Sequence, residues 1–99
     1  MAQVYVIYSP SIDSYYIGSC SDFDERLKQH LNGEYTLAFT KKAADWQEYI
    51  LFDNLSYSQA RQMEVHIKKM KSRKYLVNLK QYEEMRLKLL EKFGADSSR

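Results

Sequence analysis

The chain opens on a run of β-branched and aromatic residues, Gln3-Val4-Tyr5-Val6-Ile7-Tyr8-Ser9, which suits a pleated, half-buried surface and predicts a strand over 3–9. Pro10, Asp13 and Ser14 supply turn chemistry. Tyr15-Tyr16-Ile17-Gly18-Ser19 then reads as the returning strand of an antiparallel hairpin. The pattern changes to a four-residue recurrence of Phe23, Leu27 and Leu31, the buried stripe of a helix. Ser21 or Asp22 can cap that helix, Asp24 and Glu25 suit its first turn, and Asn32-Gly33 predicts its end. Residues 34–45 are polar and irregular, and 46–53 predict a third strand. Ser56, with Gln59 three residues on, marks the start of a second long helix whose seam is Ala60, Met63, Ile67 and Met70. A helical turn or two is expected over 72–79. An amphipathic helix over 80–93 follows, with Tyr82, Met85, Leu89 and Leu90 on its apolar side and Gly94 as its stop. The fold class implied is α+β, a small three-stranded antiparallel sheet flanked by helices, with an extra C-terminal amphipathic helix.

Ninety-nine residues allow one domain with a modest core. The expected organisation is a domain over 1–79, a helix over 80–94 that packs on it or dimerises, and a frayed tail over 95–99. No run reaches the roughly 18 apolar residues of a membrane helix, and the N-terminus lacks a signal-peptide pattern, so a cytoplasmic location is expected. A single cysteine, Cys20, excludes an intrachain disulfide and a thiolate zinc cluster. Its neighbours Ser19, Ser21 and Asp22 offer nothing to lower its pKa, which argues against a nucleophilic thiol. The net charge of +2 decides little by itself. Its distribution says more: residues 61–74 hold six cations, Arg61, Lys68, Lys69, Lys71, Arg73 and Lys74, against the single acid Glu64. Lys41-Lys42 makes a second cluster. Such clusters are often only solvated helix faces, but phosphate binding requires them.

Composition and periodicity do not reach a function; spacing does. Tyr16 stands eleven residues after Tyr5, Arg26 ten after Tyr16, and His30 four after Arg26. Glu64 follows on the second long helix, just ahead of a Lys-rich segment. This series resembles the GIY-YIG nuclease family, and especially its small single-domain members. The resemblance covers about residues 3–79. It rests on Tyr-Ile-Gly-Ser at 16–19, Arg-Leu-x-x-His at 26–30 and Glu-x-x-Ile-Lys-Lys at 64–69. The opening Gly-Ile-Tyr of the family reads Gln3-Val4-Tyr5 here, which loses the glycine and keeps the tyrosine.

Phosphodiester cleavage needs an activated water, neutralisation of charge on the phosphate and a stabilised leaving oxygen. Glu64 is a hard oxygen ligand suited to Mg²⁺ or Mn²⁺, which commonly takes one carboxylate and several waters. Arg26 offers a planar fork to two phosphate oxygens and shares a helix face with His30. The resemblance implies finer roles. Tyr5 would activate or position the attacking water, and Tyr16 would orient water or phosphate. Arg26 would contact the scissile phosphate, Glu64 would hold the metal, and His30 would support the hydrogen-bond network or move a proton. Gly18 would keep the backbone approach to the site open. Asn78 is a candidate for an asparagine that seats substrate or stabilises the core late in the domain. Lys41, Lys42, Lys68, Lys69, Lys71, Arg73 and Lys74 would contact nucleic acid.

Each residue also has a plainer reading. Tyr5 and Tyr16 are two of nine tyrosines, Tyr8 and Tyr15 compete for their places, and a one-residue slip exchanges the faces. His30 near a helix C-terminus is favoured as a cation by the dipole alone. Glu64 could merely pair with Lys68. His66 matches no motif position. Three functions follow. The first is a metal-dependent endonuclease of low sequence specificity, structure- or damage-directed as in DNA repair, acting on DNA in preference to RNA. The second is a non-catalytic nucleic-acid-binding module of the same fold. The third is an interaction protein that forms a weak homodimer through 80–93 instead of remaining a monomer.

Overall fold

The computed structural model describes residues 1–31, 42–70 and 72–97. The elements run β1 (Ala2–Ser9), β2 (Ser14–Cys20), α1 (Phe23–Leu31), β3 (Gln47–Leu55), α2 (Tyr57–Met70), α3 (Arg73–Gln81) and α4 (Glu83–Ser97). The sheet is antiparallel in the order β2-β1-β3, so β1 is central and β2 is an edge strand. The α+β class and the three-stranded sheet stand as expected.

Alternation along β1 divides the molecule into two layers. Val4 and Val6 join Ile50, Phe52, Ala60, Met63, Ile67, Leu76, Leu79 and Leu89 in the larger core, which α2, α3 and α4 cover. Tyr5 and Ile7 turn to the other face and pack with Phe23 and Trp46 under α1. Pairing Tyr5 opposite Gly18 and Ile7 opposite Tyr16 puts Tyr5 and Tyr16 on the α1 face. Tyr8 lies opposite Tyr15 on the other face, and both stack with Tyr49, Tyr15 at 5.0 Å from the Tyr49 ring. Register therefore separates the two pairs of tyrosines, which local sequence left interchangeable.

Local signals place the helix starts. Asp22 accepts the Glu25 N–H at 3.2 Å, Ser56 accepts the Gln59 N–H at 3.0 Å, and Ser72 accepts the Tyr75 N–H at 3.1 Å. Gln3, where the family pattern has glycine, accepts the first N–H of α1 from Phe23 at 2.7 Å.

Four expectations are corrected. Leu31 is 37 % exposed, whereas His30 is buried, because a helical stripe drifts and the position seven after Phe23 returns to its face. Met70 and Tyr82 are exposed at the ends of their stripes. Residues 72–79 form most of a full helix, α3, and the expected single helix over 80–93 instead begins at Glu83. Tyr82 adopts φ −106° and ψ 107° and caps α3 by donating its N–H to Asn78, while Arg86 Nη1 donates to the carbonyls of Leu79 at 2.8 Å and Lys80 at 2.5 Å. Gly94 does not stop α4, which continues to Ser97. A Cβ there would lie 3.2 Å from Gln59 Nε2, so Gly94 marks a close approach of α4 to α2. Leu89 is buried in the main core and Met85, Leu90 and Phe93 pack against it, which joins α4 to its own domain.

Candidate active site at the edge strand

The site forms around β2, the edge strand. On the α1 face, Tyr5 is fully buried and its hydroxyl shares a 3.1 Å hydrogen bond with Nε2 of His30, itself 1 % exposed. The Tyr16 ring stands 5.3 Å from the His30 ring and 6.3 Å from that of Tyr5, and Phe23 closes the cluster at 5.4 Å from Tyr5. Burial, followed by the charge of Arg26, lowers the His30 pKa to about 4. His30 is thus a neutral imidazole at pH 7, not the dipole-stabilised cation that its place near a helix end invites.

Gly18 lies directly across from Tyr5. A Cβ at Gly18 would sit 2.5 Å from the Tyr5 hydroxyl oxygen and 2.7 Å from Cζ. The space that glycine keeps open is the seat of the Tyr5 ring.

On the α2 face, Glu64 Oε1 accepts a 2.6 Å hydrogen bond from Ser19, and Oε2 accepts from Lys68 Nζ at 2.7 Å. Glu64 is 20 % exposed at the side chain and Lys68 49 %. Burial pushes the Glu64 carboxyl upward, but the hydrogen bonds from Lys68 and Ser19 and the charges of Lys68 and Arg61 outweigh it and hold the group below the ordinary carboxylate range. Arg26 reaches from α1 to donate to the backbone carbonyl of Ser19 at 3.4 Å. Ser19 is therefore the joint: its carbonyl meets Arg26 and its hydroxyl meets Glu64. The structure thus places the five side chains around β2 in two groups, Tyr5, Tyr16 and His30 on the α1 face and Glu64 on the α2 face, with Arg26 and Glu64 each bonded to Ser19.

Ser19 was legible only as the last letter of Tyr-Ile-Gly-Ser. Strand alternation from Gly18 would have turned it toward α2 once register was known. Arg61 was legible only as charge. Cys20 is half-buried, and burial raises its thiol pKa, which agrees with an unreactive cysteine.

Among the described residues the cations do not form one patch. Lys68 and Arg73 line a cleft of about 230 Å³ with Ser14, Tyr15, Ile17 and Ser72. Arg73 also pairs with Asp13 at 2.9 Å and lies over the Tyr15 ring. Lys69 projects to another side of α2, beside Val65 and His66. Lys74 and Lys42 are exposed, and Lys41 and Lys71 lie outside the described residues. Asn78 sits on α3, where its carbonyl accepts the Tyr82 N–H at 2.8 Å. Among the described residues no helix is long and apolar enough to cross a membrane.

Glu64 fits a hard divalent cation: it is ionised, partly exposed and bound by neutral and cationic donors that leave carboxylate lone pairs free. Among the described residues no group of three or more His, Cys, Asp or Glu accompanies it, so such an ion would draw most of its ligands from water and phosphate.

An α+β domain with a three-stranded antiparallel sheet, carrying Tyr, Tyr, Arg, His and Glu around one edge strand, has the frame of a phosphodiester-cleaving domain. The family described as GIY-YIG catalytic domain matches residues 1–89, and the chain belongs to this family of nucleases. No curated protein and no solved structure matches it.

Proposed function

We propose that this chain is a divalent-metal-dependent endonuclease that hydrolyses phosphodiester bonds in DNA in preference to RNA, on branched or damaged substrates in DNA repair, within the cytoplasm. The observation that carries the reading is the meeting of Arg26 and Glu64 at Ser19, beside the Tyr5–His30–Tyr16 cluster. A half-buried guanidinium and a depressed carboxylate, each hydrogen-bonded to Ser19, stand at an edge strand. They suit a phosphate with a cation between them.

Glu64 would hold Mg²⁺ or Mn²⁺, which when bound supplies Lewis-acid stabilisation of a phosphate oxygen. Arg26 neutralises the non-bridging oxygens. Neutral His30 holds the Tyr5 hydroxyl in one orientation behind the half-buried Tyr16, whose hydroxyl can position the attacking water. Lys68, Arg73 and Lys74 guide the backbone beyond the scissile phosphate. So small a cationic surface reads phosphates more than base edges, which favours recognition of DNA structure over sequence.

One observation favours a binding module without catalysis: the Lys68 ammonium already occupies one Glu64 oxygen. A nicking assay on supercoiled plasmid separates the readings. Wild type should nick with Mg²⁺ or Mn²⁺ and stop with EDTA, and Glu64→Ala and Arg26→Ala should each lose about a hundredfold or more. A wild type that binds plasmid, branched DNA and RNA without cutting any of them would support the binding module.

A further inference from the structure

A second cationic pocket lies on the side of α2 that the Glu64 site does not use. Val65, His66 and Phe93 form its apolar surface, Arg61, Lys69 and Lys92 stand round it, and its volume is about 450 Å³. Val65 is 52 % exposed there, a large aliphatic side chain left facing the opening. The His66 ring meets Phe93 edge-on at 5.5 Å and Tyr75 at 6.3 Å.

Three cations with no carboxylate among the lining residues call for an anion. The apolar surface between them calls for a flat ring. An unstacked nucleotide has both, with a base to lie on His66, Phe93 and Val65 and phosphates to reach the cations. A second copy of this chain fits poorly, because a two-fold contact here would set Arg61, Lys69 and Lys92 against their own counterparts. Arg61 joins this pocket to the site described above. It also lines the cleft beside Ser19 and Cys20.

We propose that this pocket receives one unpaired nucleotide of the substrate strand, flanking the phosphate held at Arg26 and Glu64, so that the strand is gripped on two sides of α2. The proposal rests on the nucleic-acid reading above and gives it a substrate class: DNA with a single-stranded or frayed segment next to the cut.

The test is fluorescence anisotropy in EDTA with a labelled oligothymidylate about twelve nucleotides long, using wild type, His66→Ala and the exposed pair Lys69→Glu/Lys92→Glu. His66→Ala should bind about tenfold more weakly. The charge-reversed pair should lose more and show a salt slope lower by about two. An abasic scan of the oligonucleotide distinguishes base contact from a structural role. In wild type, one abasic position should weaken binding about five- to tenfold, and in His66→Ala the same position should have no further effect. A His66→Ala variant that loses affinity equally at every position, or loses none, overturns the proposal. If wild type nicks plasmid while the variants bind as it does, or while it ignores the oligonucleotide, the pocket assignment fails and the nuclease reading stands. If wild type neither binds nor cuts, both fail.

Discussion

Replacing Gly18 with alanine would drive a methyl group into the seat of Tyr5. The new carbon would lie 2.5 Å from the tyrosine oxygen, 2.7 Å from Cζ and 3.1 Å from Cε2. Tyr5 has nowhere to retreat, since it is fully buried between Phe23, Tyr16 and His30. Gly18 lies outside the left-handed backbone region, so φ strain plays no part and the whole effect is steric. Overpacking of this kind costs about 1–3 kcal/mol, and losing the Tyr5–His30 hydrogen bond adds about 1 kcal/mol. Against the roughly 5–15 kcal/mol that holds a domain of this size together, the expected loss of about 2–4 kcal/mol is severe. Urea titration followed by far-UV circular dichroism should show it, with a fall in Tm of roughly 10–30 °C. Tyr5→Phe supplies the control, because it removes the nearest oxygen. In the double variant the two effects should fail to add by about 1 kcal/mol. The steric account is wrong if Gly18→Ala unfolds within about 0.5 kcal/mol of wild type, or if the two substitutions add.

Three further outcomes are expected. With its pKa at about 4 in the fold against 6.5 as the ordinary value, His30 stays neutral when folded while the unfolded chain takes up its proton. Stability should therefore fall by up to about 3 kcal/mol as pH drops from 6.5 toward 4. His30→Gln should flatten that slope, and an unchanged slope in denaturation curves counts against a buried neutral imidazole. Ser19→Ala removes a 2.6 Å hydrogen bond to Glu64, so the carboxyl should rise toward its ordinary pKa, the acid limb of the nicking profile should move to higher pH, and the rate should fall about tenfold. A pH–rate profile identical to wild type would show that Ser19 does not tune the acid. Asn54 sits at φ 57° near the end of β3, where the pairing with β1 shifts register; Asn54→Val should lose about 1–2 kcal/mol and Asn54→Gly almost none, as read by thermal melts.

The amino-acid sequence by itself determined the short-range features. The β-branched runs made strands, and the caps at Asp22 and Ser56 began helices, because a side chain reaching an N–H three residues on needs no distant partner. The spaced motif named the five residues of the candidate site. Tertiary contact decided the rest. Whether Tyr5 or Tyr8 faces His30 depends on the pairing of β1 with β2. Whether α3 and α4 are one helix or two depends on Tyr82 turning extended and Arg86 reaching back to the last carbonyls of α3. Gly94 reads as a stop until α2 is seen to pass close to it. Ser19 acquires its role only because α1 and α2 lie on opposite faces of one edge strand, so that Arg26 and Glu64, far apart in the chain, arrive at the same residue. Helix and strand propensities act within a few residues, whereas a site that bridges two layers is defined by contacts between segments that no local pattern relates.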